Sequence, residues 1–392
     1  MDTERTSSVR LPLLYLLTAA GLGWLTGPRA QAQPDALGHD RTRPLPPVVN
    51  PGCASKPGEW QSYDVLWTPQ RFDTDGKLLF AKTVDVQADF DFTGPEKTVQ
   101  VSVGEDGGSK AKKVSDRLLA PGAKLELLAG DFKFTEGPTC DAAGNVFFTD
   151  QPNDRILKWS VDGKLSTFRQ PAGRANGMCF DHEGNLIACA DEQTELWSIT
   201  PDGKVTVLVK EYQGRVLNGP NDVWVRPDGG MYFTDPFYKR PWWKHNQMPQ
   251  DGQHVYFFSS DHRKLTRVVA DLKQPNGIIG APDGKTLFVA DIGASKTYRF
   301  DIQPDGPLTG KQLFCELGSD GMTLDREGNI YLTGKGVTVF DPTGHQFEHL
   351  DVPEPWTANV CFGGPDKQTL FITASQKLYA IKLRVKGANQ AK

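Results

Sequence analysis

The sequence predicts an all-β protein: a six-bladed β-propeller preceded by a short β-rich extension. Two observations predict the propeller, a motif that recurs six times and the many short strand-like segments that separate tight turns. The 40 glycines and 28 prolines among 392 residues favour short strands over long helices. Each copy of the motif begins with Asn, Asp or Glu, usually followed by Gly, and a turn starts about five residues later. The copies begin at Glu136, Asn176, Asn221, Asn276, Asp320 and Asn359.

The period of the motif identifies the units as propeller blades. Successive copies are separated by 40, 45, 55, 44 and 39 residues, and a β-rich segment such as NVFFTD or TLFVAD follows each one. Units of about 40–55 residues with about four short strands are typical of propellers. The alternative, an array of β-sandwich domains, would not repeat at this period.

The two ends of the predicted propeller are expected to meet in one blade. The segment KLELLAGDF precedes Glu136 and has no partner in its own unit, whereas KLYAIKL ends the last unit one strand short. Pairing of these segments would close the ring and remove an exposed sheet edge. We therefore expect the propeller to span residues 118–385, followed by a tail at 386–392.

Residues 1–32 are expected to be a signal peptide. Two arginines precede an apolar run of about 15 residues, and Ala30-Gln31-Ala32 supplies the small residues of a cleavage site. The run is short for a membrane span, but two acidic residues weaken its basic end, so an uncleaved anchor is the alternative. Nothing later is apolar enough to span a membrane. The sequence thus predicts an exported protein, periplasmic or secreted, without a stable membrane span after cleavage.

Between the predicted signal peptide and the propeller lie a linker at 33–44 and a β-rich segment at 45–112. The segment contains GEWQSYDVLWTPQRFDTDGK and further short strand patterns. It resembles a fragment of the jelly-roll domain of the 3-keto-disaccharide hydrolase type. Because only a fragment matches, this resemblance implies no activity for the segment.

Charge and cysteine content argue against a nucleic-acid-binding protein and against a cysteine-based metal site. A net charge of −4 argues against nucleic acid as the main partner. The six cysteines include no CxxC pair, and their spacing resembles no metal site. Export permits disulfides, and Cys179 and Cys189 flank a predicted hairpin turn and could pair. Isolated buried thiols are the alternative.

The first residues of the six copies are all oxygen donors, and they form a candidate metal site. If each one begins the innermost strand of its blade, all six ring one mouth of the central channel. Asn and Asp also favour turns, which would explain one such residue more easily than six in register. Two carboxylates with several carboxamides suit Ca²⁺, and zinc fits less well because the ring contains no His or Cys. A polar channel without metal is the alternative.

The chain resembles the regucalcin–gluconolactonase (senescence marker protein-like) family of six-bladed propellers. No one motif is specific, but the order and spacing of several are. The matching strings are EGP at Glu136, LNGPND at Leu217–Asp222, YFTDP at Tyr232–Pro236, QPNGI at Gln274–Ile278, DGMTLDREGN at Asp320–Asn329 and CFGGPDKQTLFIT in the last blade.

The resemblance implies one divalent cation at the channel mouth, held by Glu136, Asn276 and Asp320. Asn221 would be a fourth ligand or a substrate contact. Ca²⁺ is the expected ion, with Zn²⁺, Mg²⁺ or Mn²⁺ as other options. Some family members carry a substrate-contacting arginine where this chain has Gly219, which leaves the substrate open. The candidate substrate contacts are Asn176, Asn218, Arg174, Arg215, Tyr238 and Trp242.

The connection from the third blade to the fourth is predicted to be long, because it contains DPFYKRPWWKHNQMPQDGQHVYFF. Inserted loops tend to lie over one face of a propeller and shape recognition. Its aromatic residues could form a platform for a sugar ring, or PWW could hold the loop by packing. Its basic residues Lys239, Arg240 and Lys244 could hold an acidic group, or they could be solvated surface.

The expected activity is hydrolysis of a carboxylic ester bond, the opening of a sugar-acid lactone such as gluconolactone. A bound cation would polarise the carbonyl, and Asp320 is the candidate general base. No Gly-x-Ser-x-Gly elbow lies near these positions, so a serine nucleophile is not expected. One alternative is phosphotriesterase or arylesterase activity at the same metal site. The other is a non-enzymatic propeller that binds a metal or ligand.

Overall fold

A computed structural model describes residues 118–388 together with five strands between residues 61 and 103. The chain divides into two compact units, Met1–Ala111 and Lys112–Lys392. The predicted signal peptide and linker, and residues 389–392 of the predicted tail, lie outside the described residues. In the described part of the chain, no helix has the length and apolar character needed to cross a membrane.

The first unit contains antiparallel strands. A three-stranded sheet has the order β1-β4-β5, and β2 pairs with β3. The strands are β1 (Gln61–Trp67), β2 (Gln70–Phe72), β3 (Leu78–Ala81), β4 (Val84–Asp91) and β5 (Thr98–Val103). The segment is therefore β-rich, and its likeness to a jelly-roll fragment stays a prediction.

The second unit is a six-bladed β-propeller, which confirms the predicted fold class. Each blade is a four-stranded antiparallel sheet, and the first strands of neighbouring blades contact one another around a closed ring. The first blade contains β7 (Thr135–Cys140), β8 (Val146–Asp150), β9 (Arg155–Trp159) and β10 (Leu165–Arg169). The second contains β11 (Ala175–Phe180), β12 (Leu186–Ala190), β13 (Glu195–Ile199) and β14 (Val205–Val209). The third contains β17 (Val223–Val225), β18 (Met231–Asp235), β19 (His254–Phe258) and β20 (Leu265–Val269).

The last three blades follow the same order, except that the outermost strand of the sixth, β6, comes from the start of the unit. The fourth blade contains β21 (Pro275–Gly280), β22 (Thr286–Asp291), β23 (Lys296–Ile302) and β24 (Leu308–Cys315). The fifth contains β25 (Met322–Leu324), β26 (Ile330–Gly334), β27 (Gly336–Phe340) and β28 (Gln346–Leu350). The sixth contains β29 (Thr357–Gly363), β30 (Thr369–Ala374), β31 (Lys377–Lys382) and β6 (Glu126–Ala129). A ribbon of β15 (Glu211–Tyr212) and β16 (Arg215–Val216) and two 3₁₀ turns, Gln151–Asn153 and Ile292–Ala294, complete the described elements.

The ring closes in the sixth blade, as the sequence predicts. Strand β6 pairs antiparallel with β31, with Leu378 opposite Ala129 and Ala380 opposite Glu126. The chain before β6 adds to the closure, because Leu118 is buried in the apolar core of this region. The first and last strands of the propeller therefore belong to one sheet, and β31 is not left as an exposed edge.

The apolar core lies between neighbouring blades. One cluster joins Trp224 and Tyr232 of the third blade to Ile278 and Leu287 of the fourth. The second strands of the first three blades, VFFTD, LIACA and MYFTD, are buried along their whole length, and those of the last three are buried at all but one residue. A strand covered on both faces carries a continuous apolar run instead of an alternating one. These runs therefore pack each blade against both of its neighbours.

The described cysteines are free thiols, so the pairing of Cys179 with Cys189 is not formed. Cys140, Cys189, Cys315 and Cys361 are buried, and Cys179 is half-buried. Burial raises the pKa of the Cys179 thiol to about 12. These five residues fit the alternative of isolated thiols, and Cys53 lies outside the described residues.

The long insertion lies inside the third blade, which corrects the prediction that it joins the third blade to the fourth. It runs from residue 236 to 253, between β18 and β19. The spacing of the motif reveals the extra residues but not which pair of strands they separate. Strand β18 runs antiparallel to β17. The insertion therefore leaves the sheet at the end where β17 begins, beside Asn221.

Candidate active site

The six first residues lie where the innermost strands begin. Glu136, Asn176 and Asn276 are the second residues of β7, β11 and β21, Asn359 is the third residue of β29, and Asn221 and Asp320 each lie two residues before a strand. Asp320 is half-buried and the other five are buried. In four of these blades the strand register shifts next to the first residue. Such bulges re-aim a side chain away from the regular pleat.

The glycine after the first residue lets the innermost strands approach closely. A Cβ atom on Gly137 would lie 2.0 Å from the backbone oxygen of Asn176, and one on Gly321 would lie 1.9 Å from the Asn359 side chain. A larger residue would not fit at either position without displacing the next unit. Where the second position is glycine, it therefore leaves room for the innermost strand of the following blade.

Asn276 and Asp320 make direct contact at the mouth. The amide nitrogen of Asn276 donates hydrogen bonds to Asp320 Oδ1 at 2.7 Å and to the Tyr238 hydroxyl at 2.8 Å. The amide oxygen, Asn276 Oδ1, is buried and has no hydrogen-bond partner among the described residues. A buried acceptor without a partner is costly, and it is the atom that a bound cation would satisfy.

Asp222 is a third carboxylate in the channel, and the sequence prediction missed it. It is 7% exposed and occupies the motif's second position, where four other copies have Gly. Its Oδ1 accepts the backbone N–H of Val223 at 3.0 Å, and its Oδ2 lies 3.5 Å from the amide nitrogen of Asn359. The available signal was an aspartate at a position where most copies of the repeat have glycine.

The carboxylates of the channel share a desolvated environment. Burial raises the pKa of Glu136 well above its usual range, and repulsion from Asp320 adds to the increase. Burial also raises the pKa of Asp320, opposed by the hydrogen bonds from Trp356 and Asn276. The pKa of Asp222 rises to about 7, chiefly through burial. A cation among these groups would favour their ionised forms.

The donor set fits a hard divalent cation. Carboxylate and carboxamide oxygens are the ligands that Ca²⁺ prefers, and Asn276 Oδ1 is available to serve as one. Within residues 118–388, no group of three or more His, Cys, Asp and Glu side chains is arranged to hold a metal ion. The predicted site therefore depends on the carboxamide oxygens of Asn221 and Asn276 as well as on Glu136 and Asp320.

Trp356 is a further residue at the mouth that the sequence prediction missed. Its indole Nε1 donates a hydrogen bond to Asp320 Oδ2 at 2.6 Å, and the residue remains 38% exposed. It lies in the loop that enters the sixth blade, three residues before Asn359. The motif does not include this loop, so the repeat gave no signal for it.

Asp191 holds the insertion of the third blade against the second blade. It accepts hydrogen bonds from Arg240 Nε at 3.2 Å and Trp242 Nε1 at 2.9 Å, and its backbone oxygen accepts one from Trp243 Nε1 at 2.9 Å. The corresponding aspartates of three other blades instead accept backbone N–H groups just before their own innermost strands; they are Asp150, Asp235 and Asp291. Asp191 thus departs from the repeat to organise a loop at the mouth.

The insertion's tryptophans pack against other parts of the propeller, as expected if PWW holds the loop in place. The Arg174 guanidinium lies 4.8 Å from the Trp242 ring centroid, and a Cβ atom on Gly219 would lie 2.7 Å from the Trp243 ring. Arg240 is half-buried and paired with Asp191. Lys239 and Lys244 are exposed. Binding of a sugar ring or an acidic group by this loop stays a prediction.

The remaining predicted substrate contacts differ in their surroundings. Arg174 pairs with Glu192 at 3.4 Å and also donates to the backbone oxygen of Pro152. Arg215 is exposed on the β15–β16 ribbon. Asn218 is fully buried, and its amide bonds to Asp235 O, Gly252 O and Gln250 N. The geometry therefore gives Asn218 a supporting role in the fold.

Replacing Asp191 by alanine is expected to release the insertion while the propeller stays folded. The Arg240 guanidinium and the Trp242 indole would lose their shared buried acceptor, which favours local opening of the loop. Tryptic cleavage after Lys239 or Lys244 should accelerate about tenfold, equivalent to about 1.4 kcal/mol of local stability. Glu192→Ala is the matched control, because its carboxylate is partly exposed and pairs with Arg174 only at 3.4 Å. Equal cleavage of the two variants would contradict the role of Asp191.

Comparisons with known proteins identify relatives of the propeller. A family model described as the SMP-30/gluconolactonase/LRE-like region matches residues 134–376. A gluconolactonase of Zymomonas mobilis is 26% identical over 302 residues, which are 69% of this chain and 85% of that protein. The solved structure of a gluconolactonase from Xanthomonas campestris is 29% identical with a TM-score of 0.64, covering 71% of this chain and 93% of that chain. A diisopropyl-fluorophosphatase of Loligo vulgaris is 25% identical over 272 residues, 62% of this chain and 86% of that protein.

Proposed function

The chain belongs to the SMP-30/gluconolactonase/LRE-like family, and from this premise we propose that it is a metal-dependent hydrolase of sugar-acid lactones such as gluconolactone. The observation that carries the proposal is the buried oxygen set at the mouth, in which Asn276 Oδ1 has no partner among the described residues. The gluconolactonases from Zymomonas mobilis and Xanthomonas campestris support the substrate class.

Four residues would hold the cation, with Ca²⁺ the best suited ion and Zn²⁺, Mg²⁺ or Mn²⁺ as other options. They are Glu136, Asn221, Asn276 and Asp320. When bound, a divalent cation supplies Lewis-acid polarisation of the lactone carbonyl and stabilises the oxyanion that forms on it. The two carboxylates and the two carboxamides would reach this cation from four different blades.

In this proposal Asp320 accepts the proton of the attacking water. Each of its carboxylate oxygens accepts one hydrogen bond, from Asn276 or from Trp356. A carboxylate oxygen has two acceptor sites, so each retains capacity for water. The water oxygen bonds to the carbonyl carbon while Asp320 takes one of its protons. The bond from that carbon to the ring oxygen then breaks, the ring oxygen receives the proton, and a hydroxy acid leaves.

Two other functions remain as alternatives. The second candidate is a hydrolase of the phosphotriesterase or arylesterase type on the same metal site. The match to a diisopropyl-fluorophosphatase of Loligo vulgaris over most of its length supports its organophosphate branch. A non-enzymatic propeller that binds a metal or ligand is the third. A docking surface does not require buried carboxylates that converge on a channel, so the site geometry favours hydrolysis.

Chelation is expected to abolish lactone turnover, and added Ca²⁺ or another divalent ion should restore it. The test is to measure kcat/KM for a panel of sugar-acid lactones, aryl esters and phosphotriesters after EDTA treatment and after addition of each metal. Sugar-acid lactones should rank first. A higher ranking of phosphotriesters or aryl esters would select the second candidate. Absence of turnover on every lactone with metal present would select the binding propeller.

A further inference from the structure

Four side chains from four consecutive blades form one hydrogen-bonded row across the mouth. Tyr238 comes from the insertion of the third blade, Asn276 begins the fourth, and Asp320 and Trp356 precede the fifth and sixth. The contacts are 2.8 Å from Tyr238 to Asn276, 2.7 Å from Asn276 to Asp320, and 2.6 Å from Asp320 to Trp356. The row therefore links the two predicted ligands to two aromatic side chains.

With Asp320 ionised, the donors and acceptors of the row favour one arrangement. The amide nitrogen of Asn276 has two hydrogens and accepts none, so the Tyr238 oxygen and Asp320 Oδ1 are both acceptors. The indole of Trp356 can only donate, so Asp320 Oδ2 accepts from it. A flipped Asn276 amide would place its oxygen against the Asp320 carboxylate, which is repulsive. The row thus forces Asn276 Oδ1 away from its neighbours, where it has no partner among the described residues.

Tyr238 is itself held in place from behind. The Arg240 guanidinium lies 5.0 Å from the centroid of the Tyr238 ring, and Arg240 is paired with Asp191 on the second blade. The phenol at one end of the row is therefore carried by a loop that is fixed to the propeller. At the other end, Trp356 belongs to the loop that leads into β29 and the closed sixth blade.

We propose that Tyr238 and Trp356 are positioning residues of the metal site. Tyr238 fixes the amide of Asn276 so that Oδ1 is presented as a ligand. Trp356 fixes the carboxylate of Asp320, which serves as both ligand and proton acceptor. The inference rests on the proposed function for the presence of a metal and for the reaction that Asp320 assists. Only Trp356 contacts the base directly, so its loss should affect the chemical step as well as Ca²⁺ binding.

Tyr238→Phe and Trp356→Phe test the two ends of the row independently. The EDTA-treated protein is titrated with Ca²⁺ by calorimetry, and gluconolactone kinetics are measured at saturating Ca²⁺. Tyr238→Phe should weaken Ca²⁺ binding about five- to tenfold, because the amide of one ligand, Asn276, loses the partner that orients it. Trp356→Phe should weaken Ca²⁺ binding and also lower kcat about tenfold, because the base is affected.

Matched substitutions elsewhere separate positioning from a general effect of losing an aromatic polar group. Tyr298→Phe and Trp159→Phe lie on the third strands of blades, away from the mouth, and should change neither Ca²⁺ affinity nor kcat. Wild-type Ca²⁺ affinity in both mouth variants, or equal losses in the controls, would overturn the inference, as would absence of Ca²⁺ binding by the parent. Failure of the lactonase proposal is distinguishable, because the differences in Ca²⁺ affinity would persist without any lactone turnover. Circular dichroism verifies that the variants fold, and either mouth variant alone suffices for the calorimetric test.

Discussion

Asp320→Asn is expected to abolish lactone turnover while the propeller remains folded. The substitution removes the proton acceptor and one of the two carboxylates of the ligand set. The new amide nitrogen would also lie opposite an N–H donor, because Asn276 and Trp356 each donate to one oxygen of this side chain. A general base contributes about 10²–10⁴-fold, so kcat at saturating Ca²⁺ should fall by at least about a hundredfold. Steady-state kinetics at several Ca²⁺ concentrations, with circular dichroism, measure this.

Asp325→Asn is the matched control within the same stretch of sequence. Asp325 is 1% exposed, and its carboxylate accepts the backbone N–H groups of Glu327 and Asn329, a side-chain bond from Asn329 and the Tyr331 hydroxyl. It is a turn residue, and its substitution should lower the free energy of unfolding by about 1–3 kcal/mol. The folded Asp325→Asn protein should retain turnover. Retained turnover in Asp320→Asn would refute both roles of Asp320.

The repeat made the ring of the channel predictable. Each unit applies the same backbone pattern to a different stretch of chain, so one register assigns all six positions, including Asn359 in the degenerate last copy. Glycine at the second position was visible as a preference, but its reason was not. The structure shows that Gly137 and Gly321 provide room for the next blade's first residue, a contact between units that are far apart in sequence.

Residues outside the repeat were not predictable in the same way. Trp356 was not predicted, and Tyr238 was predicted only as a substrate contact. Their hydrogen bonds to Asp320 and Asn276 depend on how loops from different blades meet. Asp191 occupies the same place in its unit as aspartates that support their own blades, yet it holds an insertion from the next one. Its sequence position is ordinary, and only its tertiary contacts distinguish it.

Removal of the chain before Asp131 is expected to prevent cooperative folding of the propeller. Without β6, strand β31 becomes an exposed edge in the blade that closes the ring. The truncation also removes Leu118 from one core cluster, and Leu128 and Ala129 from the margin of a second cluster. Burial of a leucine is worth about 1.5–3 kcal/mol, and net stabilities are about 5–15 kcal/mol. The loss of a whole strand together with these contacts is comparable to the total.

A chain of residues 112–392 is the matched comparison, because it keeps β6 and omits only the first unit. It should give a single sharp unfolding transition in urea, whereas a chain of residues 131–392 should aggregate or unfold without cooperativity. A synthetic peptide of residues 118–130 should restore the transition, since an added strand can pair with the free edge of β31. Identical transitions for the two chains without peptide would show that closure by β6 is dispensable. Rescue by the peptide would locate the effect in the pairing itself, because the peptide supplies β6 without reconnecting the chain.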